Sequence, residues 1–98
     1  MRGINKDNFD IDVIKALGDE TRLEILNLLG NKEMNVNDIA QNCTVSRPTI
    51  SHHLQIMKRA GLLSSRKEGK EIYYSVNINT LTSLAHGILN FIAYKTFK

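Results

Sequence analysis

The stretch Ser46-Arg47-Pro48-Thr49-Ile50-Ser51-His52-His53-Leu54-Gln55-Ile56-Met57-Lys58-Arg59-Ala60-Gly61 decides how this chain is to be read. An α-helix turns about 100° per residue, which puts Ile50, Leu54 and Met57 on one face. Pro48, Ser51, His52, Gln55 and Arg59 fall on the opposite face, with Thr49 and Ile56 on the flank. Ser46 is placed to cap the helix, and Pro48 lies in the first turn, where a missing N–H costs nothing. Gly61 stops it. The spacing predicts a helix over 47–60 whose N-terminal half is small, polar and able to hydrogen-bond.

Working outward toward the N-terminus, Asn42 to Val45 forms a tight link to a short helix containing Val36, Ile39 and Ala40, capped by Asn35 or Asn37. Glu33 to Asn35 reads as a connection. Before it, Leu23, Ile25, Leu26, Leu28 and Leu29 predict the most buried helix, capped by Asp19 and ended by Gly30-Asn31. The first helix carries Phe9, Val13, Ile14 and Leu17 and closes at Gly18 through a left-handed glycine. Toward the C-terminus the period changes from helical to alternating. Residues 63–67 and 71–76 predict two strands around Glu68-Gly69-Lys70. A last helix opens at Asn79 or Thr80 and runs through Leu81, Leu84, Ala85, Ile88, Leu89 and Ile92. The fold class is mainly α with a small β-hairpin: a winged helix-turn-helix of about five helices plus a two-stranded wing.

Ninety-eight residues, 42% of them apolar, make one domain over 1–98. The net charge of +3 is unevenly spread: −3 over residues 1–45, +4 over 46–76 and +2 over 77–98. The positive field is therefore concentrated where the helix and hairpin lie. No stretch matches a signal peptide or a membrane span, and the single Cys43 has no internal disulfide partner, which together favour the cytoplasm and exclude membrane insertion. There is no Ser/His/Asp order, P-loop or dinucleotide fingerprint, so no catalytic reading survives and no cofactor is expected.

In a helix-turn-helix the second helix enters the DNA major groove and the first braces it. Thr49, Ser51, His52 and Gln55 are then the base readers, and Arg47 reaches a base or a phosphate. Ser46 and Pro48 sit at the helix N-terminus, whose free N–H groups can hold a phosphate. Lys58 and Arg59 lie further along, toward the backbone. Arg66, Lys67 and Lys70 supply a basic wing that tracks the backbone or enters the minor groove. The partner is double-stranded DNA. A solvated hairpin would also carry such charges, and the neighbouring helix is what argues for DNA.

Ala16-Leu17-Gly18-Asp19-Glu20-Thr21-Arg22-Leu23-Glu24-Ile25-Leu26 resembles the opening of ArsR/SmtB-type repressors, with Glu20 where that family usually has proline. Residues 46–54, Ala60-Gly61-Leu62-Leu63, Arg66 to Lys70 and Ile72-Tyr73-Tyr74 resemble the family's recognition helix, helix exit and wing, in the right order. The resemblance implies a homodimeric repressor whose first and last helices pack against the partner's, using Phe9, Val13, Leu81, Leu84, Ile88, Leu89 and Ile92. It also implies an operator that is an imperfect palindrome, read by two helices about 34 Å apart. Relatives that sense metal use a cysteine box where this chain has Asn35-Val36-Asn37, or carboxylates and histidines on the last helix, where this chain offers only His86. No metal ligand set is expected. Residues 46–54 and Leu89-Asn90-Phe91-Ile92 are similar to the autorepressor branch that lacks metal sites. Control would then come through expression level, a membrane partner or an unknown effector. The rival readings are a ligand- or metal-responsive sensor with an unrecognised effector site and a protein-interaction module without DNA.

Among other residues, Cys43 is expected to fill a buried apolar position. His52 and His53 point about 100° apart and do not share a metal, with His52 toward DNA and His53 structural. Tyr73 and Tyr74 alternate across their strand, one toward the recognition helix and one outward, with the assignment open. Arg22 is expected in an internal salt bridge.

Overall fold

Asp10 accepts from the backbone N–H groups of Asp12 and Val13, which caps α1 (Ile11–Leu17). Asp19 does the same for α2 (Glu20–Leu29) through the N–H of Arg22. The computed structural model describes residues 10–97, with side chains through Tyr94; the expected contact residue Phe9 lies outside the described residues. After α2 come β1 (Met34–Asn35), α3 (Val36–Gln41), α4 (Arg47–Arg59), β2 (Leu63–Glu68), β3 (Glu71–Val76) and α5 (Ile78–Phe97). This is a winged helix-turn-helix, with α3 and α4 as its helix pair and β2–β3 as its wing.

The sheet has three strands rather than two, in the order β1-β3-β2, all antiparallel. Met34 pairs with Tyr74 and Asn35 with Tyr73, so the expected connection at 33–35 contains an edge strand. Two residues are too few to carry a hydrophobic period, which is why the strand is silent in the sequence. Leu63 to Glu68 pairs with Val76 to Glu71, and Gly69 turns the tip at φ 62°.

Thirteen buried apolar residues form one core. Its centre is the inner face of α4, where Ile50, Leu54 and Met57 are fully buried. Val13 and Ala16 come from α1, Ile25 and Leu29 from α2, Ile39 from α3, Leu62, Leu63 and Tyr74 from the hairpin side, and Leu84 from α5. Helix α2 is therefore not the most buried one: Leu26 and Leu28 are half-buried and Leu23 is exposed. Its near-continuous leucines outnumber the neighbours available to cover them.

Three helix ends differ from expectation. Gly18 closes α1 at φ −82°, through its N–H to the Lys15 carbonyl, without a left-handed turn. Ser46 holds the N-cap position of α4, but its hydroxyl pairs with that of Thr49 at 3.1 Å and makes no bond to the backbone. Helix α5 opens at Ile78, because the Asn77 carbonyl already accepts from the N–H groups of Thr80 and Leu81. The Thr80 hydroxyl instead donates to the Gly61 carbonyl at 2.7 Å, tying α5 to the exit of α4.

Among the described residues α5 joins the core through Leu84 and the half-buried Leu81, and further along Gly87 is buried and Phe91 half-buried. The molecule measures 51 × 26 × 25 Å. No helix among the described residues is long and apolar enough to cross a membrane.

Candidate nucleic-acid interface

Because the inner stripe of α4 is locked in the core, its other side faces outward as a rigid surface. Ser46, Arg47, Pro48, Thr49, His52, Gln55, Lys58 and Arg59 are exposed, and Ser51 is half-buried at the edge. The expected base readers thus stand on one continuous surface, on an element that cannot rotate without exposing Ile50, Leu54 and Met57. His52 lies outside and His53 inside: their ring centroids are 6.1 Å apart with planes tilted by 57°.

His53 is fixed by Arg22 of α2, whose Nη1 lies 3.2 Å from His53 Nδ1. The Nε of Arg22 donates to the Ala16 carbonyl at 2.6 Å, and its Nη2 reaches the Lys15 carbonyl at 3.5 Å. The expected internal salt bridge of Arg22 is therefore a clamp on the last carbonyls of α1. That suits a guanidinium, which carries five donors in a fixed fork.

Arg47, at the first position of α4, donates through Nε to Oδ1 of Asn37 on α3 at 2.6 Å. Asn35 resolves the cap left open by the sequence: its Oδ1 accepts from the Asp38 N–H at 2.8 Å. The two asparagines of the 35–37 run thus have structural occupations, one at a helix cap and one at the start of α4. Among the described residues no cluster of three or more His, Cys, Asp or Glu is placed to hold a metal ion.

The wing is less uniformly basic than its sequence suggests. Lys67 and Lys70 are exposed. Arg66 is engaged: its Nε sits 2.9 Å from both carboxylate oxygens of Glu33, and its Nη1 lies 2.6 Å from Oε1 of Glu68. Its guanidinium carbon also rests 4.9 Å from the centre of the Tyr73 ring. The hydrogen bond to Glu68, then that to Glu33, raises the Arg66 pKa above its ordinary value. Two carboxylates around one guanidinium leave this corner with a net negative charge. Arg66, expected to meet phosphate, is thus exposed but paired with two carboxylates.

The tyrosines separate cleanly. Tyr74 is buried in the core and Tyr73 lies outside beneath Arg66. The parity of Ile72, Tyr74 and Val76 was the available signal for Tyr74. Glu33, which the sequence reading missed, carried no local signal, being 33 residues from its partner.

The expected dimer residues also divide. Val13 is 1% exposed and Leu84 9%, so both are used within the protomer's own core and have little surface left for a second subunit. Leu81 packs against the same core. Ile88, Leu89 and Ile92 are exposed apolar groups, Leu89 at 63%. From Ile78 to Tyr94 the helix carries no charged side chain.

Residues 19–65 match the bacterial regulatory proteins of the arsR family. The chain is 44% identical over 81 residues to the transcriptional repressor SdpR of Bacillus subtilis, covering 83% of this chain and 90% of that one. An ArsR-like transcriptional regulator from Rhodococcus sp. RHA1 aligns with a TM-score of 0.80 at 36% identity, covering 86% of this chain and 79% of its own. A homodimeric winged helix-turn-helix DNA-binding domain from Mycobacterium bovis aligns with a TM-score of 0.69 at 30% identity, over 90% of this chain and 82% of its own.

Proposed function

This chain belongs to the arsR family of bacterial regulatory proteins, and from that membership we propose that it is a cytoplasmic, homodimeric transcriptional repressor reading an imperfect palindrome in double-stranded DNA. One observation carries the proposal: α4 holds Ile50, Leu54 and Met57 in the core while Thr49, His52 and Gln55 face outward on the same helix. Such a helix can enter the major groove without repacking. Lys67 and Lys70 reach the flanking phosphates. The exposed Ile88, Leu89 and Ile92 of α5 supply the dimer contact. Asn35 and Asn37 serve backbone and side-chain contacts, which supports repression without a metal at that segment. A mobility-shift titration on the chain's own promoter tests the proposal, and no shift at low salt overturns it.

A second reading, a repressor tuned by a small ligand, is favoured by one groove of about 280 Å³ between α1 and the end of α4. Lys15, Arg22, Arg59 and Asp12 stand around Ala16, Ile56 and Ala60 there. A small carboxylate suits that lining, and a melting shift with such ligands that is lost in Arg59→Gln would favour this reading.

A further inference from the structure

Both DNA-facing elements are held by one short run of chain. Residues 33–37 lead from the loop before β1, through β1, into α3. At one end the Nε–H of Arg66 on the wing is shared between the two carboxylate oxygens of Glu33, 2.9 Å from each. At the other end Asn37 accepts from Arg47 at the first turn of α4. Between them β1 is paired to β3, and Asn35 caps α3. The run therefore bridges the wing and the start of the recognition helix, whose other end already runs into β2 through residues 60–62.

We propose that Glu33 and Asn37 are positioning residues for DNA binding, fixing the wing's angle to the recognition helix, with Arg66 serving this bracket rather than a phosphate. The proposal rests on the repressor reading above. Bases and phosphates must be met at the same time, and a constellation of that kind works only when its parts are held to within about half an ångström. An exposed ion pair adds little stability, but the planar guanidinium is held from two sides, by Glu33 at Nε and Glu68 at Nη1, which fixes its orientation. Tyr73 beneath the guanidinium restricts the remaining freedom. Glu33 and Glu68 both pair with the Arg66 guanidinium, which orients it and reduces the net positive charge it presents.

The test turns on sign. Glu33→Gln removes a negative charge near the DNA and frees Arg66. Simple electrostatics would then tighten binding to every sequence and steepen its salt dependence. Positioning predicts the reverse for the operator: about 5–20-fold weaker specific binding, with non-specific binding unchanged or tighter. Asn37→Ala should lose specific affinity similarly, and Arg66→Lys, which keeps the charge but not the guanidinium's two-sided contacts, should resemble Glu33→Gln. An unchanged ratio of specific to non-specific affinity, or uniformly tighter binding, overturns the proposal. Residual dipolar couplings of the DNA-free full chain give a second readout that does not depend on the operator. The wing's angle to α4 should change in Glu33→Gln, and an unchanged angle also overturns the proposal. Absence of any DNA binding by the unsubstituted chain would count against the repressor reading, while the couplings still decide this one.

Discussion

Nη1 of Arg22 lies 3.2 Å from Nδ1 of His53, so one guanidinium spans α2 and the recognition helix while also holding the end of α1. For that contact to be a hydrogen bond, Nδ1 must accept and the ring proton must sit on Nε2. Removing either partner strands a part-buried polar group. Arg22→Ala should lower unfolding free energy by about 1–3 kcal/mol. A double-mutant cycle with His53→Ala should show coupling of at least about 0.5 kcal/mol. Additive effects in denaturant melts would mean that the contact carries no energy.

Asp19, the cap of α2, gives a pH dependence of known sign. The Arg22 backbone N–H holds its carboxyl below the ordinary 3.8, with the Arg22 guanidinium and His53 adding to the effect and desolvation opposing it. A lowered folded value means that the cap's contribution is complete above about pH 4 and is lost as pH falls through the lowered value. Asp19→Asn keeps the cap acceptor but removes the titration. Acid unfolding of that variant should therefore show a shallower dependence below pH 4, measured by circular dichroism.

The wing's cations should separate by salt dependence. Lys67→Ala and Lys70→Ala should each flatten the slope of log affinity against log salt by about 1, since each removes one phosphate contact. Arg66→Ala should flatten that slope by clearly less than about 1, because it removes no phosphate contact even though it leaves Glu33 and Glu68 unpaired. Equal flattening in all three would return Arg66 to the DNA surface.

Along α5, neighbouring leucines should behave oppositely. Leu84→Ala, in the core, should cost about 2–5 kcal/mol of stability. Leu89→Glu, on the exposed side, should leave the fold intact but shift sedimentation toward a monomer and weaken operator binding. A Leu89→Glu protein that sediments as a dimer would remove α5 from the interface.

Burial, followed by the nearby Glu24, raises the Cys43 thiol above its ordinary value. Alkylation at neutral pH should be slower in the native chain than after denaturation. Equal rates would show an accessible, reactive thiol.

The inner stripe of α4 was readable because it obeys a short period, and the glycine after it because that residue type stops a helix. What stayed hidden depends on distant pairings. Arg66 looks like a free cation until Glu33 arrives from another element. Met34 and Asn35 look like loop until β3 lies beside them. Val13 and Leu84 were assigned outward by analogy, although apolar periodicity alone does not distinguish a core from an interface. Ser46 has the residue type of a cap, yet Thr49 competes for its hydroxyl.

As the dimer contact proposed above, the uncharged rod formed by Ile78 to Tyr94 would also set how the switch answers to its own abundance. A reader assembled by pairing two such rods fills its target more steeply than in proportion to chain number, because mass action governs assembly as well as docking. Where most chains are unpaired and the target is mostly empty, halving the supply would lower its occupancy by more than half.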